Sequence, residues 1–154
     1  MGSPYVIEYS GRFDFPVPPR EVWSAIEHFE RYEAWWGWLR ELRVEGLGLV
    51  GGSVLHGVVA PPLPYRMRLR VGLVACEPPR FIDASVDGDL VGHARLVLDP
   101  DGDGTRVSVA WTIEMMQRPM RVAARIAPPL LRWGHDQVVA ATVAGFRRHL
   151  RSLG

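Results

Sequence analysis

The sequence predicts an α+β fold in which a curved antiparallel sheet of seven strands wraps around a long C-terminal helix, with two short helices after the first strand. Three observations lead to this prediction. A strand-like segment at the N-terminus is followed by a helical pattern, the middle of the chain alternates with a period of two, and the last part is helical again. Only one strand precedes the first helices, so a parallel sheet of β–α–β units is not expected.

The N-terminal segment, residues 5–15, is rich in aromatic and β-branched side chains and predicts the first strand. The prolines that follow it end the strand, and proline is tolerated in the first turn of a helix. Val22, Ile26 and Phe29 then recur with helical spacing, which predicts an amphipathic helix. A second short helical piece is predicted where the chain carries Tyr32, Trp35, Trp36 and Leu39.

Six further strands are predicted at 41–46, 53–60, 64–76, 80–87, 90–99 and 105–116. In the third of these, the apolar side chains from Tyr65 to Leu73 share one face, and Arg66, Arg68 and Arg70 share the other. One face of this strand is therefore buried and one is solvated, as in antiparallel sheets. The segment 101–104, Asp-Gly-Asp-Gly, predicts a hairpin turn because glycine adopts the positive φ that such turns need.

A helical pattern resumes after Arg118, and Pro128-Pro129 should kink or interrupt it because proline lacks the amide donor. The remainder runs to about Ser152 and is the only predicted element long enough to cover the apolar face of the sheet. A helix laid across a strongly curved sheet touches it along a line, so a pocket is expected between them. The inward stripe of this helix is formed by Leu131, His135, Val138, Val139, Thr142, Phe146 and Leu150.

The composition indicates an ordinary globular protein, predicted to form a single domain over residues 1–154. Charged residues make up 23% of the chain and apolar residues 47%. All 18 basic residues are arginine, which excludes Schiff-base chemistry on a lysine. The net charge of +1 gives no reason to expect a nucleic-acid partner or an acidic membrane surface.

The chain is predicted to be cytoplasmic and not membrane-spanning. Cys76 is the single cysteine, so no internal disulfide can form, which fits a reducing compartment. The N-terminus shows no signal-peptide pattern, and no apolar run approaches the roughly 20 residues needed to span a bilayer. No cofactor is expected, and the chain is expected to be a monomer or a homodimer.

Two loop sequences imitate ligand-binding motifs. Residues 46–51 have the spacing G-x-G-x-x-G, but a strand-like segment follows where a pyrophosphate needs a helix N-terminus. We interpret them as a loop between strands, and a role as a lid over a pocket mouth stays open. Asp99, Asp101 and Asp103 resemble the start of a calcium loop, yet Ala110 stands where the bidentate glutamate is needed. The hairpin interpretation is therefore favoured there.

His135-Asp136 resembles part of a metal-ligand set, but the other four histidines show no ligand spacing, so no metal site is predicted. Two roles stay open for His135: a hydrogen-bonded core residue, or a polar group that faces the pocket. Asp136 projects about 100° away around the helix and is expected to pair with Arg132, one turn earlier. Cys76 is expected to be a structural thiol because nothing nearby in sequence would lower its pKa.

Aromatic residues indicate where an apolar ligand would bind. Six tryptophans are more than a core of this size needs, and large aromatic side chains around a concave surface hold apolar ligands. Trp23 is assigned to packing, whereas Val107, Trp111 and Met115 belong to the larger-residue face of the last strand, which is expected to be concave. The predicted ligand-binding residues are Trp35, Trp36, Met67, Trp111, Met115, His135, Val139 and Thr142.

Three stretches carry a family resemblance: residues 15–26 with the tyrosine–tryptophan segment after them, the G-T-x-V pattern at 104–107, and the tryptophan–histidine–aspartate run at 132–136. Together they resemble the SRPBCC superfamily, the START-like helix-grip proteins that include relatives of the birch-pollen allergen and the polyketide cyclase/dehydrase family. The resemblance covers essentially the whole chain. It implies a helix-grip fold with an elongated cavity for lipids, sterols, polyketides or other apolar ligands.

Three functions stay open at this point. The first is binding of a hydrophobic small molecule (a lipid, polyketide or aromatic compound) by a carrier or sensor. The second is a polyketide cyclase- or dehydratase-like enzyme, and its catalytic candidates are His135 as general acid or base and Arg95 as the group that stabilises an enolate. The third is a partner-binding protein on the same fold, such as a co-chaperone or a toxin–antitoxin member.

Overall fold

The strands of the protein form one antiparallel sheet in the computed structural model, which describes residues 3–152. The strands are β1 Val6–Phe15, β2 Leu39–Glu45, β3 Val54–Val59, β4 Met67–Glu77, β5 Phe81–Gly88, β6 Leu90–Asp101 and β7 Gly104–Met115. Their order in the sheet is β1-β7-β6-β5-β4-β3-β2, and every neighbouring pair is antiparallel. The predicted seven-stranded sheet is confirmed.

The helices are α1 Pro19–Ile26, α2 Tyr32–Trp35, α3 Arg118–Ile126 and α4 Pro128–Ser152, with a 3-10 turn at Phe29–Arg31. The first predicted helix extends too far at its C-terminal end, because it includes Phe29. His28 has φ −85° and ψ 67°, outside the helical region, so α1 stops before it and Phe29 starts the separate turn. The placement of Leu39 in the second helical piece is also wrong, because this residue begins β2 and pairs with Val59.

The predicted interruption at Pro128-Pro129 is confirmed. Ala127 between α3 and α4 has φ −136° and ψ 60°. The ring of a following proline disfavours the helical region for the residue before it, so the chain turns at Ala127 and restarts as α4. The long C-terminal segment therefore consists of two helices that pack on each other.

Two of the strand pairs in the curved sheet are irregular. The register shifts between Arg40 and Arg43 in β2, where Glu41 has φ +52°, and between Leu73 and Ala75 in β4. Such bulges bend a strand and increase its twist. The β6–β7 hairpin is confirmed: Asp101 pairs with Gly104, and Gly102 takes the positive φ of +61°.

Two hydrophobic clusters fill the space between the sheet and the helices. The first cluster lies at α1 and the C-terminal half of α4, and it includes Val22, Phe146 and Leu150. The second cluster lies at α3 and the N-terminal half of α4, and it includes Met120 and Leu131. Within residues 3–152, no helix is long and apolar enough to cross a membrane.

Candidate functional site: a cavity between the sheet and α4

A cavity of about 480 Å³ lies between the concave face of the sheet and the helices. Side chains of both hydrophobic clusters line it, and they come from β1, β4, β6 and β7 on one side and from α1, α2, α3 and α4 on the other. A helix laid across a curved sheet touches it along a line, which leaves space for the cavity on either side of that line. Its volume falls within the roughly 300–1,000 Å³ that small-molecule pockets occupy.

The wall of the cavity is almost entirely apolar. Among the residues that the structure describes, no aspartate, glutamate or arginine lines it, and its few polar side chains include His135, Thr142, Tyr32 and Tyr65. Three of these four are engaged by the protein: Tyr32 Oη donates to the carbonyl of Ile26, Thr142 Oγ1 donates to the carbonyl of Val138, and His135 bonds through both ring nitrogens. An ionised ligand group inside the cavity would have no counter-charge.

His135 is held at the wall by two side-chain hydrogen bonds. The indole Nε1 of Trp111 lies 3.1 Å from His135 Nε2, and the carboxylate Oδ1 of Asp136 lies 3.1 Å from His135 Nδ1. An indole nitrogen only donates, so Nε2 must accept, and the neutral ring then carries its proton on Nδ1 and donates it to Asp136. Both roles considered for His135 therefore hold: it is hydrogen-bonded, and it faces the cavity.

Asp136 does not pair with Arg132 as the sequence suggested. Its carboxylate turns toward the neighbouring His135, which offers an N–H that is largely shielded from water. Arg132 is exposed and has no ion pair among the described side chains. An exposed pair of charges gains little over hydration, so the shorter-range contact is preferred.

Tyr9 of β1 belongs to the same group of rings, and sequence analysis missed it. Its ring stacks on Trp111 with centroids 4.8 Å apart and meets the edge of His135 at 5.1 Å. The signal was available, because Ile7, Tyr9, Phe13 and other alternate residues of β1 point to the inner face. Tyr9 and Trp111 are directly opposite each other in the β1–β7 register.

The other end of the cavity is formed by aromatic residues of α2 and the segment after it. Trp36 Nε1 donates a 2.9 Å hydrogen bond to the carbonyl oxygen of Thr142, which ties this segment to α4. Tyr32 packs against Trp35 and Trp36, and Trp36 stacks on Trp38 at 5.4 Å. Trp38 also lines the wall, although it is not among the residues predicted to bind a ligand.

Seven of the eight predicted ligand-binding residues lie in the wall: Trp35, Trp36, Met67, Trp111, His135, Val139 and Thr142. Met115 does not. It lies on the predicted face of β7, but α3 covers that end of the strand, so its side chain is buried in the second cluster beside Met120 and Ala124. The strand period alone does not reveal which part of a face a helix covers.

Arg95, the second catalytic candidate, lies outside the cavity. Its neighbour Leu96 lines the wall, so the alternation along β6 sends Arg95 to the outer face of the sheet. There it bonds to Asp83 at 2.9 Å and lies over the ring of Phe81. A role in stabilising an enolate inside the cavity is therefore excluded for this side chain.

The remaining sequence motifs do not contribute to the wall. Gly46 and Gly48 have strongly positive φ angles and lead into β3, as expected for a loop between strands. Leu49 of this loop packs into the first cluster, and no residue of the loop lines the cavity. Burial, with a smaller contribution from Asp83, raises the pKa of the Cys76 thiol, which disfavours a nucleophile. No group of three or more potential metal ligands occurs within the described part of the chain.

Comparison with protein families gives one match over nearly the whole chain. Residues 7–154 match the model of the family described as polyketide cyclase/dehydrase and lipid transport. Comparison with the curated proteins gives no match.

Solved structures share the fold at low sequence identity. TTHA0849 from Thermus thermophilus is 16% identical with a TM-score of 0.78, and the alignment covers 96% of this chain and 99% of that one. The di-domain ARO/CYC protein BexL from the BE-7585A biosynthetic pathway is 12% identical with a TM-score of 0.69, covering 96% and 50%. Norcoclaurine synthase from Thalictrum flavum, in complex with dopamine and hydroxybenzaldehyde, is 14% identical with a TM-score of 0.65, covering 96% and 87%.

Proposed function

This chain belongs to the polyketide cyclase/dehydrase and lipid transport family of the SRPBCC superfamily, and from that premise we propose that it binds an uncharged, mainly hydrocarbon or aromatic small molecule in the cavity under α4. The observation that carries the proposal is the composition of the wall. A cavity lined by valine, leucine, methionine, phenylalanine and tryptophan side chains favours apolar surface over water by roughly 25 cal/mol for each Å² buried.

The wall also argues for a ligand without a formal charge. Transfer of an ionised group into an apolar cavity is strongly unfavourable unless an opposite charge meets it. Here the polar side chains are mostly engaged with the protein, and His135 is already bonded on both nitrogens. The Tyr65 side chain makes no hydrogen bond among the described residues, and burial raises its pKa, so its hydroxyl stays protonated and available to a ligand oxygen.

Native mass spectrometry of the protein purified from its own host tests the proposal most directly. A co-purifying neutral lipid, polyketide or aromatic compound is the expected result. A bound fatty acid or another anion held in the cavity would contradict the charge argument.

A matched pair of substitutions separates cavity binding from surface adsorption. Val109→Phe adds a ring at a wall position of β7 and should lower the affinity for an uncharged fluorescent probe such as Nile red by at least about tenfold, because the ring occupies ligand volume. Val74→Phe makes the same change at an exposed position of β4, 66% accessible, and should leave the affinity unchanged. Equal affinities for the two variants would contradict binding in the cavity.

A second function, a cyclase- or dehydratase-like reaction, is favoured by one observation: His135 lines the cavity and is hydrogen-bonded to the carboxylate of Asp136, which lies outside the wall. For His135 to act as a base, Nε2 must release the Trp111 indole N–H and take a proton from the ligand instead. Under this proposal His135→Ala abolishes turnover of a poly-ketone substrate, and Trp111→Phe raises or preserves it. If the protein is a carrier, both substitutions change only ligand affinity.

A further inference from the structure

The outer surface of α3 and the start of α4 carries a group of exposed apolar side chains. Four apolar side chains are exposed within twelve residues: Ile126 at 77%, Val122 at 49%, Leu130 at 48% and Trp133 at 47%. Single exposed apolar residues are common, but a group of them on adjoining elements indicates an interaction site. We name this surface, with the arginines described next, the α3–α4 outer surface.

Arginines are interleaved with these apolar side chains. Arg118, Val122, Arg125 and Ile126 follow one another at helical spacing along the exposed face of α3, and Arg132 is the neighbour of Trp133 in α4. No acidic residue occurs between Glu114 and Asp136. The arginines at 118, 125 and 132 are exposed and form no ion pair with any described residue. The surface is therefore positive as well as apolar.

The net charge of +1 does not reveal this surface. On the outer face of the sheet, arginines face carboxylates, as in the pairs Arg95–Asp83 at 2.9 Å and Arg70–Asp87 at 3.7 Å. Those charges largely cancel locally, whereas the charges on α3 and the start of α4 do not. The expectation that no acidic membrane surface is involved came from the sum of charges and disregarded their distribution.

We propose that the α3–α4 outer surface docks the protein onto an anionic phospholipid bilayer. The four apolar side chains would enter the interfacial region, where tryptophan is favoured, and the arginines would meet lipid phosphates. A second copy of this chain fits the surface less well, because a two-fold interface would bring the same unpaired arginines together.

Docking there would place the cavity next to the lipid. The inner faces of the same two helices contribute Met120, Leu131 and His135 to the cavity wall. The docking proposal goes beyond ligand binding and does not depend on it, because vesicle binding is measured without any ligand.

Flotation of the full chain with vesicles tests the proposal. Vesicles of phosphatidylcholine with phosphatidylglycerol should bind the protein at low salt, and vesicles of phosphatidylcholine alone should bind it much more weakly. Each arginine near an anionic bilayer contributes roughly a fivefold factor to partitioning, so R118Q/R125Q/R132Q should lower the partition coefficient roughly 100-fold. High salt screens the attraction between the arginines and the lipid phosphates, so the binding that persists there comes from the apolar side chains. I126S/W133S should abolish this salt-resistant binding.

A control variant removes the same charge elsewhere. Arg12, Arg20 and Arg148 are also exposed and without an ion pair among the described residues, but they lie outside the α3–α4 outer surface. R12Q/R20Q/R148Q should retain most of the binding. The proposal is overturned if the wild type does not bind the anionic vesicles at low salt, or if the control variant loses as much as R118Q/R125Q/R132Q. A dimer in sedimentation that I126S/W133S dissociates would also overturn it in favour of a second copy.

Discussion

The two halves of α4 contact the rest of the protein in different ways. In the C-terminal half, the contacts involve backbone: Trp36 donates to the carbonyl of Thr142, and a Cβ at Gly145 would collide with the carbonyl oxygen of Trp35. In the N-terminal half, the contacts are between side chains: His135 meets Trp111, and a Cβ at Gly134 would meet the side chains of Leu63 and Tyr65.

This difference affects how far each half of the helix can adapt, although both halves contribute side chains to the cavity wall, such as His135 and Phe146. Backbone contacts cannot relax without moving a whole segment, so the C-terminal half holds α4 against α2 and the residue that follows it. Side chains can change rotamer, so the N-terminal half, with α3, can adapt to a ligand. That half also carries the exposed residues proposed to meet a bilayer. Substitutions in the C-terminal half should therefore lower the free energy of unfolding more than substitutions in the N-terminal half.

The largest difference is expected between Phe146→Ala and Trp133→Ala. Phe146 is buried in the first cluster and meets the edges of Phe15 and Trp35 at 5.2 and 5.7 Å. Its loss should lower the free energy of unfolding by about 3–5 kcal/mol. Trp133 is about half exposed in the N-terminal half, and its loss should lower the free energy of unfolding by only about 1 kcal/mol. Urea denaturation measures both, and similar losses would show that the two halves do not differ in stability.

A smaller difference is expected between the two helix glycines. Gly145→Ala forces Trp35 and α2 away from α4 and should lower the free energy of unfolding by about 1–3 kcal/mol. At Gly134 the obstacle is the flexible end of the Leu63 side chain, and alanine favours a helix by up to about 1 kcal/mol over glycine. Gly134→Ala should thus be neutral or stabilising. If Gly134→Ala lowers the free energy of unfolding as much as Gly145→Ala does, the rigid contact is not confined to the C-terminal half.

The smallest effect is a pH dependence that arises in the C-terminal half. Burial, with smaller contributions from Arg31 and His28, lowers the pKa of His149, whose ring lies 4.3 Å from that of Trp35. A lowered pKa in the folded state means that the unfolded chain binds the proton more readily. The stability that this histidine contributes is therefore complete above its unfolded pKa of about 6.5 and is lost as the pH falls toward the folded value.

Comparison of the wild type with His149→Gln between pH 7.5 and pH 5 isolates this contribution. The free energy of unfolding of the wild type should fall more steeply with decreasing pH than that of the variant. A steeper fall in the His149→Gln variant would contradict the sign.

Much of the fold could be predicted from the sequence because its signals are local. The period of two in β4 and β7 indicated strands and their inner faces, and the prolines at 128 and 129 marked the break before α4. The strand faces identified Met67 and Trp111 in the wall, the inward stripe of the last helix identified His135, Val139 and Thr142, and the cluster of tryptophans identified Trp35 and Trp36. The organisation as one domain, the cytoplasmic location and the oligomeric state remain predictions.

Only the tertiary structure decided which of these residues meet one another. Trp36 and the carbonyl of Thr142 are 106 positions apart, and Tyr9 reaches His135 only because β1 pairs with β7. Met115 satisfies the strand pattern but is covered by α3, since the period of a strand says which face a residue is on and not what packs against it. The sequence likewise determined the number of charges, whereas the fold decided which arginines have a carboxylate beside them and which do not.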